Sequence, residues 1–409
     1  MMKLLIATTA FLLSLMSLTV QAQSKDIKIG KIETIHSTIL NQEKDLWIYV
    51  PNRDLSSLFD QGKYPVVYLL DGDEHFIPLM GMIQTLCSGD LNSSCPQMIL
   101  VGIKPGNRMN ELTPTKAGSL HAPKTIIEAS GGGELFTQFM ENELFPYIEK
   151  NYPTAPHRTL IGHSVGGLFV INTLAHHPNM FNNYVAIDPS MWWDNRKLVS
   201  DMKTALSTQS LAGKSLFVAI ANNMTSNFTL QSVIKDTSTK TNSIRSNLKL
   251  KAILENDKVS KLRSKSHYYP DENHGTVPLI AEFEALRWLF EPFRIQNRED
   301  YWEEEFDGVS AIKLRFEKVS KLLGYHVIPP NLMAIDFGYP HLKDKHFKRA
   351  YEYFSYNLEL YPNSWISHDV MGDYYLATND KIKAKEEFLK ALSIFRSPET
   401  EKKLAELEK

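Results

Sequence analysis

The sequence has no surplus of either charge: 45 Lys and Arg stand against 47 Asp and Glu in 409 residues, a formal net charge of -2. A nucleic-acid surface needs a clustered basic stripe facing the phosphates, so that class of partner is not expected. Cysteine is nearly missing too. Cys87 and Cys95 lack zinc-site spacing and have no histidine between them, so neither metal nor cofactor is expected. In an oxidising compartment such a close pair in a polar stretch is most simply a disulfide pinning a surface loop, with two buried free thiols as the alternative.

Long apolar runs are confined to the beginning. Leu4 to Val20 follows Lys3, is broken by Thr8, Thr9, Ser14 and Ser17, and ends in Val20-Gln21-Ala22, a small-residue cleavage pattern. It is short and interrupted for a bilayer span and reads as a secretory signal peptide, residues 1–22. The mature chain is then expected in the periplasm or outside the cell, with no stable membrane span after cleavage.

What is present centres on Thr159-Leu160-Ile161-Gly162-His163-Ser164-Val165-Gly166-Gly167, an apolar strand running into G-x-S-x-G. The pattern needs small residues two before and two after the serine, because a sharp strand-to-helix turn leaves no room for side chains there. Ser164 is the candidate nucleophile. The helix that follows points its positive end at any oxyanion formed beside it.

Around this elbow, Tyr64–Leu70, Met98–Ile103, Asn183–Ile187 and Leu216–Ala221 are apolar runs of strand length, the pattern of strands buried on both faces. Ile27–Ile32 and Lys44–Tyr49 read as antiparallel edge strands before them. A helical stripe of Phe136, Met140, Leu144 and Ile148 precedes the elbow strand, so the order implies a mostly parallel sheet with right-handed crossovers. The first buried strand ends in Asp71-Gly72-Asp73, where ligand sites gather in open α/β sheets. The amides of Asp73 and Val165 are the candidate oxyanion donors. Arg108, in a proline-bounded loop, is a candidate for a substrate carboxylate or phenolate, with pairing to Glu111 as its ordinary alternative. Of adjacent Trp192 and Trp193, one should face the core and one the site, and Trp193 is the pocket candidate.

A serine hydroxyl needs a base within reach. His274 lies in a loop before an amphipathic helix (Ile280, Phe283, Leu286, Leu289, Phe290), where a hydrolase of this topology presents its histidine. The third member is open. An acid is expected after Leu216–Ala221, yet that run ends in Asn222-Asn223, and Asp188, Glu255, Asp271 and Glu272 all remain. The reading is a Ser164 and His274 dyad with any third group unassigned.

Together, Y-P-V-V-Y-L-L-D-G-D, V-G-I with N-R-M-N-E-L-T-P, G-G-G-E-L-F, G-H-S-V-G-G-L, D-P-S-M-W-W-D and N-H-G-T-V-P resemble an esterase family of α/β hydrolases. That family includes S-formylglutathione hydrolases and periplasmic siderophore esterases of the enterobactin and salmochelin type. The resemblance runs from about Ile27 to Phe293. It implies an α/β-hydrolase fold with a mostly parallel central sheet. It also implies carboxylic ester hydrolysis through an acyl-enzyme on Ser164, with His274 as general base and acid, and Asp73 and Val165 as oxyanion donors. Glu111 stands where an aspartate is commoner in that family.

Past Phe293 charge density rises, and Gly338, Ala350 and Phe354 recur 34 residues later as Gly372, Ala384 and Phe388. The repeat resembles tetratricopeptide helix pairs, a small all-α domain whose two units bury too little to stand alone. The implied organisation is a signal at 1–22, a hydrolase at 23–295, a helical connector at 296–330, solvated where Arg294 to Glu305 carry its charges, and helical repeats at 331–409. The expected activity is that of an exported serine esterase on a small-molecule ester such as a siderophore or carbohydrate ester. The repeats offer a surface for a protein partner or self-association. The alternative is a non-catalytic hydrolase-fold scaffold for those repeats.

Overall fold

Tyr64–Leu70 has no charged residue and is buried at every position, and it lies at the centre of an eight-stranded sheet. The structure is a computed structural model and describes residues 28–51, 63–87, 93–116, 125 and 128–407. The expected signal peptide at 1–22 lies outside the described residues. The strands are β1 (Lys31–Ser37), β2 (Gln42–Tyr49), β3 (Tyr64–Leu70), β4 (Ile99–Ile103), β5 (Thr154–His163), β6 (Asn183–Ile187), β7 (Ser215–Ala221) and β8 (Arg263–Tyr269). Their order is β1-β2-β4-β3-β5-β6-β7-β8, with β1/β2 and β2/β4 antiparallel and every other pair parallel. This is the mostly parallel α/β sheet expected. Pairing with Gln42–Ile48 sets the limits of β1 at Lys31 and Ser37, so apolar Ile29 falls outside it, while Ile27, where the sequence began this strand, lies outside the described residues.

The helices of this part are α1 (Gly72–Leu86), α2 (Arg108–Leu112), α3 (Gly133–Phe139), α4 (Phe145–Asn151), α5 (Val165–His176), α6 (Trp193–Thr208), α7 (Asn242–Glu255) and α8 (Val277–Leu289). Residues four apart drift by about 40° per step around an α-helix, so Phe136, Met140, Leu144 and Ile148 would spread over about 120° of a regular one. A π-turn at Met140–Leu144 between α3 and α4 absorbs that drift, and all four side chains are buried. Cys87 and Cys95 form a disulfide with Cα atoms 4.9 Å apart, joining the end of α1 to the approach to β4.

Glu282 on α8 is 1% exposed and its Oε2 has no hydrogen-bond partner among the described residues. Burial pushes its carboxyl from 4.5 up to about 8. Between those values the unfolded chain has lost this proton and the folded chain has kept it. Rising pH therefore removes stability through that window, roughly 3–5 kcal/mol in total, and no more above it. Glu282→Gln should match the parent Tm near pH 4.5 and exceed it at pH 8.5. Equal melting of the two proteins at both pH values would refute the assignment.

After α8 come α9 (Gly308–Leu323), α10 (Asn331–Lys343), α11 (Phe347–Leu360), α12 (Trp365–Ala377), α13 (Lys381–Ile394) and α14 (Pro398–Leu407). In the stretch 296–330 the charges Glu299, Asp300, Glu303, Glu304 and Glu305 are exposed, while Tyr301, Ile312, Phe316, Val319 and Leu323 are buried, and Tyr301 stacks on Phe337 at 4.4 Å. Its charges sit between apolar residues that the linear sequence does not reveal as one face. The positions spaced 34 apart fall in a helical region, in the pairs α10 with α11 and α12 with α13. A Cβ on Gly338 would come within 2.5 Å of Phe354, and one on Gly372 within 2.4 Å of Phe388, so each glycine admits the aromatic ring of its own pair. No helix among the described residues is long and apolar enough to cross a membrane.

Candidate active site

Three residues at the C-terminal ends of neighbouring strands have left-handed backbones: Asp71 after β3 (φ 54°), Ser164 after β5 (φ 60°) and Asp188 after β6 (φ 39°). Each non-glycine residue held this way costs about 1–3 kcal/mol, strain that collects where a turn must aim a side chain. Ser164 is fixed by its neighbour strand. Its N–H donates to the Ile187 carbonyl and its carbonyl accepts from the Ser190 N–H, each at 2.9 Å. A Cβ on Gly162 would stand 2.5 Å from the Gly166 backbone, which is the steric need behind the glycines of the motif. The Ser164 hydroxyl lies 3.4 Å from Ser190 Oγ, a contact not read from the sequence.

Val165 opens α5, and Asp73 lies in the first turn of α1. Amides in a first helical turn have no carbonyl four residues back within the helix and are free to point at an anion. The chain reaches this arrangement by close approach: a Cβ on Gly72 would stand 2.4 Å from the Gly102 carbonyl carbon of β4.

His274 directs Nδ1 at Asp188 Oδ2 across 2.5 Å, which leaves Nε2 for proton exchange. Of the four carboxylates that the sequence left open, Asp188 is the one that meets His274. Its side chain is 0% exposed, and Oδ2 also accepts from Asn223 Nδ2 at 2.7 Å. Oδ1 accepts from the Ala221 N–H at 3.2 Å and from Asn247 Nδ2 at 2.9 Å. These donors replace the water a buried carboxylate loses. The asparagines ending β7 therefore serve the acid and do not substitute for it. Asn222 holds the histidine loop, donating its N–H to the Glu272 carbonyl at 2.7 Å and Nδ2 to the Pro270 carbonyl at 2.8 Å. Of the other carboxylates considered, Glu255 pairs with Lys251 and Asp271 is exposed.

The His163 ring lies 4.4 Å from that of His274 and 5.7 Å from that of His75. Burial first, then its histidine neighbours, pushes the His163 imidazole down to about 4. It is neutral at ordinary pH, so it sets no second full charge beside His274.

One pocket expectation needs correction. Trp193 is 2% exposed, and its Nε1 donates to the Thr115 carbonyl at 3.0 Å. It is the core member of the pair, and Trp192 is the half-buried one. Arg108 does not pair with Glu111, and its side chain is 36% exposed. Its Nε and Nη2 donate to Asp71 Oδ1 and Oδ2 at 2.7 and 2.8 Å. Glu111 is taken instead by Lys44 at 2.8 Å, an ion pair whose side chains are 1% and 3% exposed.

A family model described as "Putative esterase" matches residues 37–270, more than half of the chain. The chain belongs to this esterase family. The matched stretch carries β2 to β8 with Ser164 and Asp188, and His274 follows just beyond it. The ferri-bacillibactin esterase BesA of Bacillus subtilis is 33% identical over 142 residues, 32% of this chain and 49% of its own. The siderophore enterobactin esterase of Emericella nidulans is 29% identical over 160 residues, 36% of this chain and 52% of its own. The chain thus spans about half the length of the curated relatives it matches. Among solved structures, an IroE-like serine hydrolase from Shewanella oneidensis matches with a TM-score of 0.65 at 26% identity, covering 81% of this chain and 98% of that one. That share is more than the residues up to Phe293 can supply, so helices after the sheet are included.

Proposed function

We propose that the protein is an exported serine esterase that cleaves a siderophore ester through an acyl-enzyme on Ser164. The observation that carries this reading is the line from Asp188 through His274 Nδ1, beside a serine held at φ 60° on the end of β5. Ser164 Oγ attacks the ester carbonyl carbon as His274 Nε2 takes its proton. The tetrahedral oxyanion is stabilised by the amides of Asp73 and Val165 and by the N-terminus of α5. Collapse expels the alkoxide, which leaves with the proton from His274. Water then repeats the sequence on the acyl-enzyme: His274 takes its proton, the new oxyanion forms on the same amides, and the acid departs as Ser164 regains its hydrogen. Asp188 keeps the Nδ1 proton in place and stabilises the imidazolium of each half-reaction.

The siderophore esterases among the relatives support the substrate class, while carbohydrate esters and simple acyl esters are the competing classes. The leader pattern and the disulfide support an oxidising compartment. A fluorophosphonate probe should label Ser164 stoichiometrically. In a panel of a siderophore lactone, a feruloyl or acetyl carbohydrate ester and a simple acyl ester, the siderophore should give the highest kcat/KM. Absence of labelling would favour the scaffold alternative, and preference for a carbohydrate ester would sink the substrate assignment.

A further inference from the structure

The segment from Asn107 to Thr113 is not used by the acyl-transfer steps, yet its contacts run toward the proposed oxyanion amides. Besides its two bonds to Asp71, Arg108 donates from Nη2 to the His163 carbonyl at 3.3 Å. Asp71 is 3% exposed, and its Oδ2 would be 3.3 Å from a Cβ on Gly166, so the carboxylate sits against the first turn of α5. One guanidinium therefore touches both backbone segments that supply the hole: Asp71 is two residues before Asp73, and His163 is two before Val165. The segment is also fixed from behind. Glu111 accepts from Lys44 at 2.8 Å, from Gln42 Nε2 at 2.6 Å and from the Gly106 N–H at 3.2 Å, while Asn107 Oδ1 caps α2 by accepting from the Asn110 N–H at 3.1 Å. A buried ion pair of this kind adds little net stability but resists displacement, because separating its partners strands a charge.

We infer that Arg108 is a positioning residue for the oxyanion hole, a bidentate clamp holding the 71–73 turn and the 163–165 elbow at fixed separation while charge develops on the substrate oxygen. The inference rests on the acyl-enzyme reading above. Donors fixed in advance are worth most because they need no reorganisation in the transition state, and they act on kcat more than on ground-state binding. A planar fork fixes both distance and angle, which a lysine ammonium does not.

The test measures kcat, KM and Tm for Arg108→Ala and Arg108→Lys on p-nitrophenyl acetate, with and without added guanidinium chloride, and runs Ser164→Ala in parallel. Arg108→Ala should lose about a hundredfold in kcat with KM within about threefold, and Arg108→Lys should recover less than about a tenth of the parent rate. Guanidinium ion, at concentrations that leave the parent unchanged, should raise the Arg108→Ala rate by about tenfold, a rescue that a general loss of folding would not give. A kcat within about threefold of the parent, or a loss carried by KM alone, would overturn the clamp, the latter marking Arg108 as a substrate contact. Should Arg108→Ala fail to fold, the kcat and KM of Arg108→Lys decide by the same criterion. Hydrolysis that persists in Ser164→Ala defeats the acyl-enzyme reading and the clamp with it. Hydrolysis lost there but undiminished in the Arg108 variants defeats the clamp alone.

Discussion

Ser164→Ala should lower kcat/KM for an activated ester by about 10⁴–10⁶ while leaving Tm unchanged. The rate falls because this hydroxyl is the atom that forms the acyl bond in the proposed mechanism, and Ser190 Oγ, 3.4 Å away, follows another strand. Stability holds because serine and alanine both carry a Cβ, so the left-handed backbone at φ 60° is equally strained in both. The only hydrogen-bond partner described for the hydroxyl is the long contact to Ser190. A residual rate above that of water should survive from the amides alone. Turnover within about tenfold of the parent would remove Ser164 from the chemistry.

Asp188→Asn should cost about 10⁴ in kcat at neutral pH, and the donors around the carboxylate explain why neither rotamer of the amide escapes. With its NH₂ in the Oδ2 position, the new side chain faces Asn223 Nδ2 and His274 Nδ1. The imidazole must then carry its proton on Nε2, the nitrogen that has to accept from Ser164. With the NH₂ in the Oδ1 position, it faces the Ala221 N–H and Asn247 Nδ2, leaving buried donors unpaired. The size of the loss separates two mechanisms: kinetics within about tenfold of the parent would mean that His274 works as a dyad partner without help from the acid.

The sequence makes Ser164 and His274 legible because their signals are local. One is a five-residue motif whose glycines answer a backbone clash, and the other is a loop histidine before an amphipathic helix. Asp188 is visible only as one of four carboxylates. What selects it is the adjacency of β6 and β7, which brings Asn223 and Asn247 to it from 35 and 59 residues away. Arg108 fails for the same reason. Glu111 is its neighbour in the chain, but Lys44 on β2 claims that carboxylate, and the true partner lies 37 residues upstream. The paired tryptophans reveal their division of labour but not which is which, since that depends on where α6 begins. The parallel sheet was legible from β3 to β7, because strands buried on both faces leave uninterrupted apolar runs, whereas β8 carries Arg263, Lys265 and His267 on a half-buried edge strand and shows no such run. The buried face of 296–330 was not, because its charges mask a pattern that only packing exposes.

Seating the acid after β6 has a consequence for the end of β7. That strand and the turn after it deliver the Ala221 N–H and Asn223 to Asp188 and Asn222 to the histidine loop, and the stretch beyond them packs Met224, Phe228, Leu230 and Val233 against the core. The same residues that close over the core therefore stand directly behind the asparagines that hold the acid and the histidine loop, so that a change in their packing is felt at Asp188 before it is felt at Ser164.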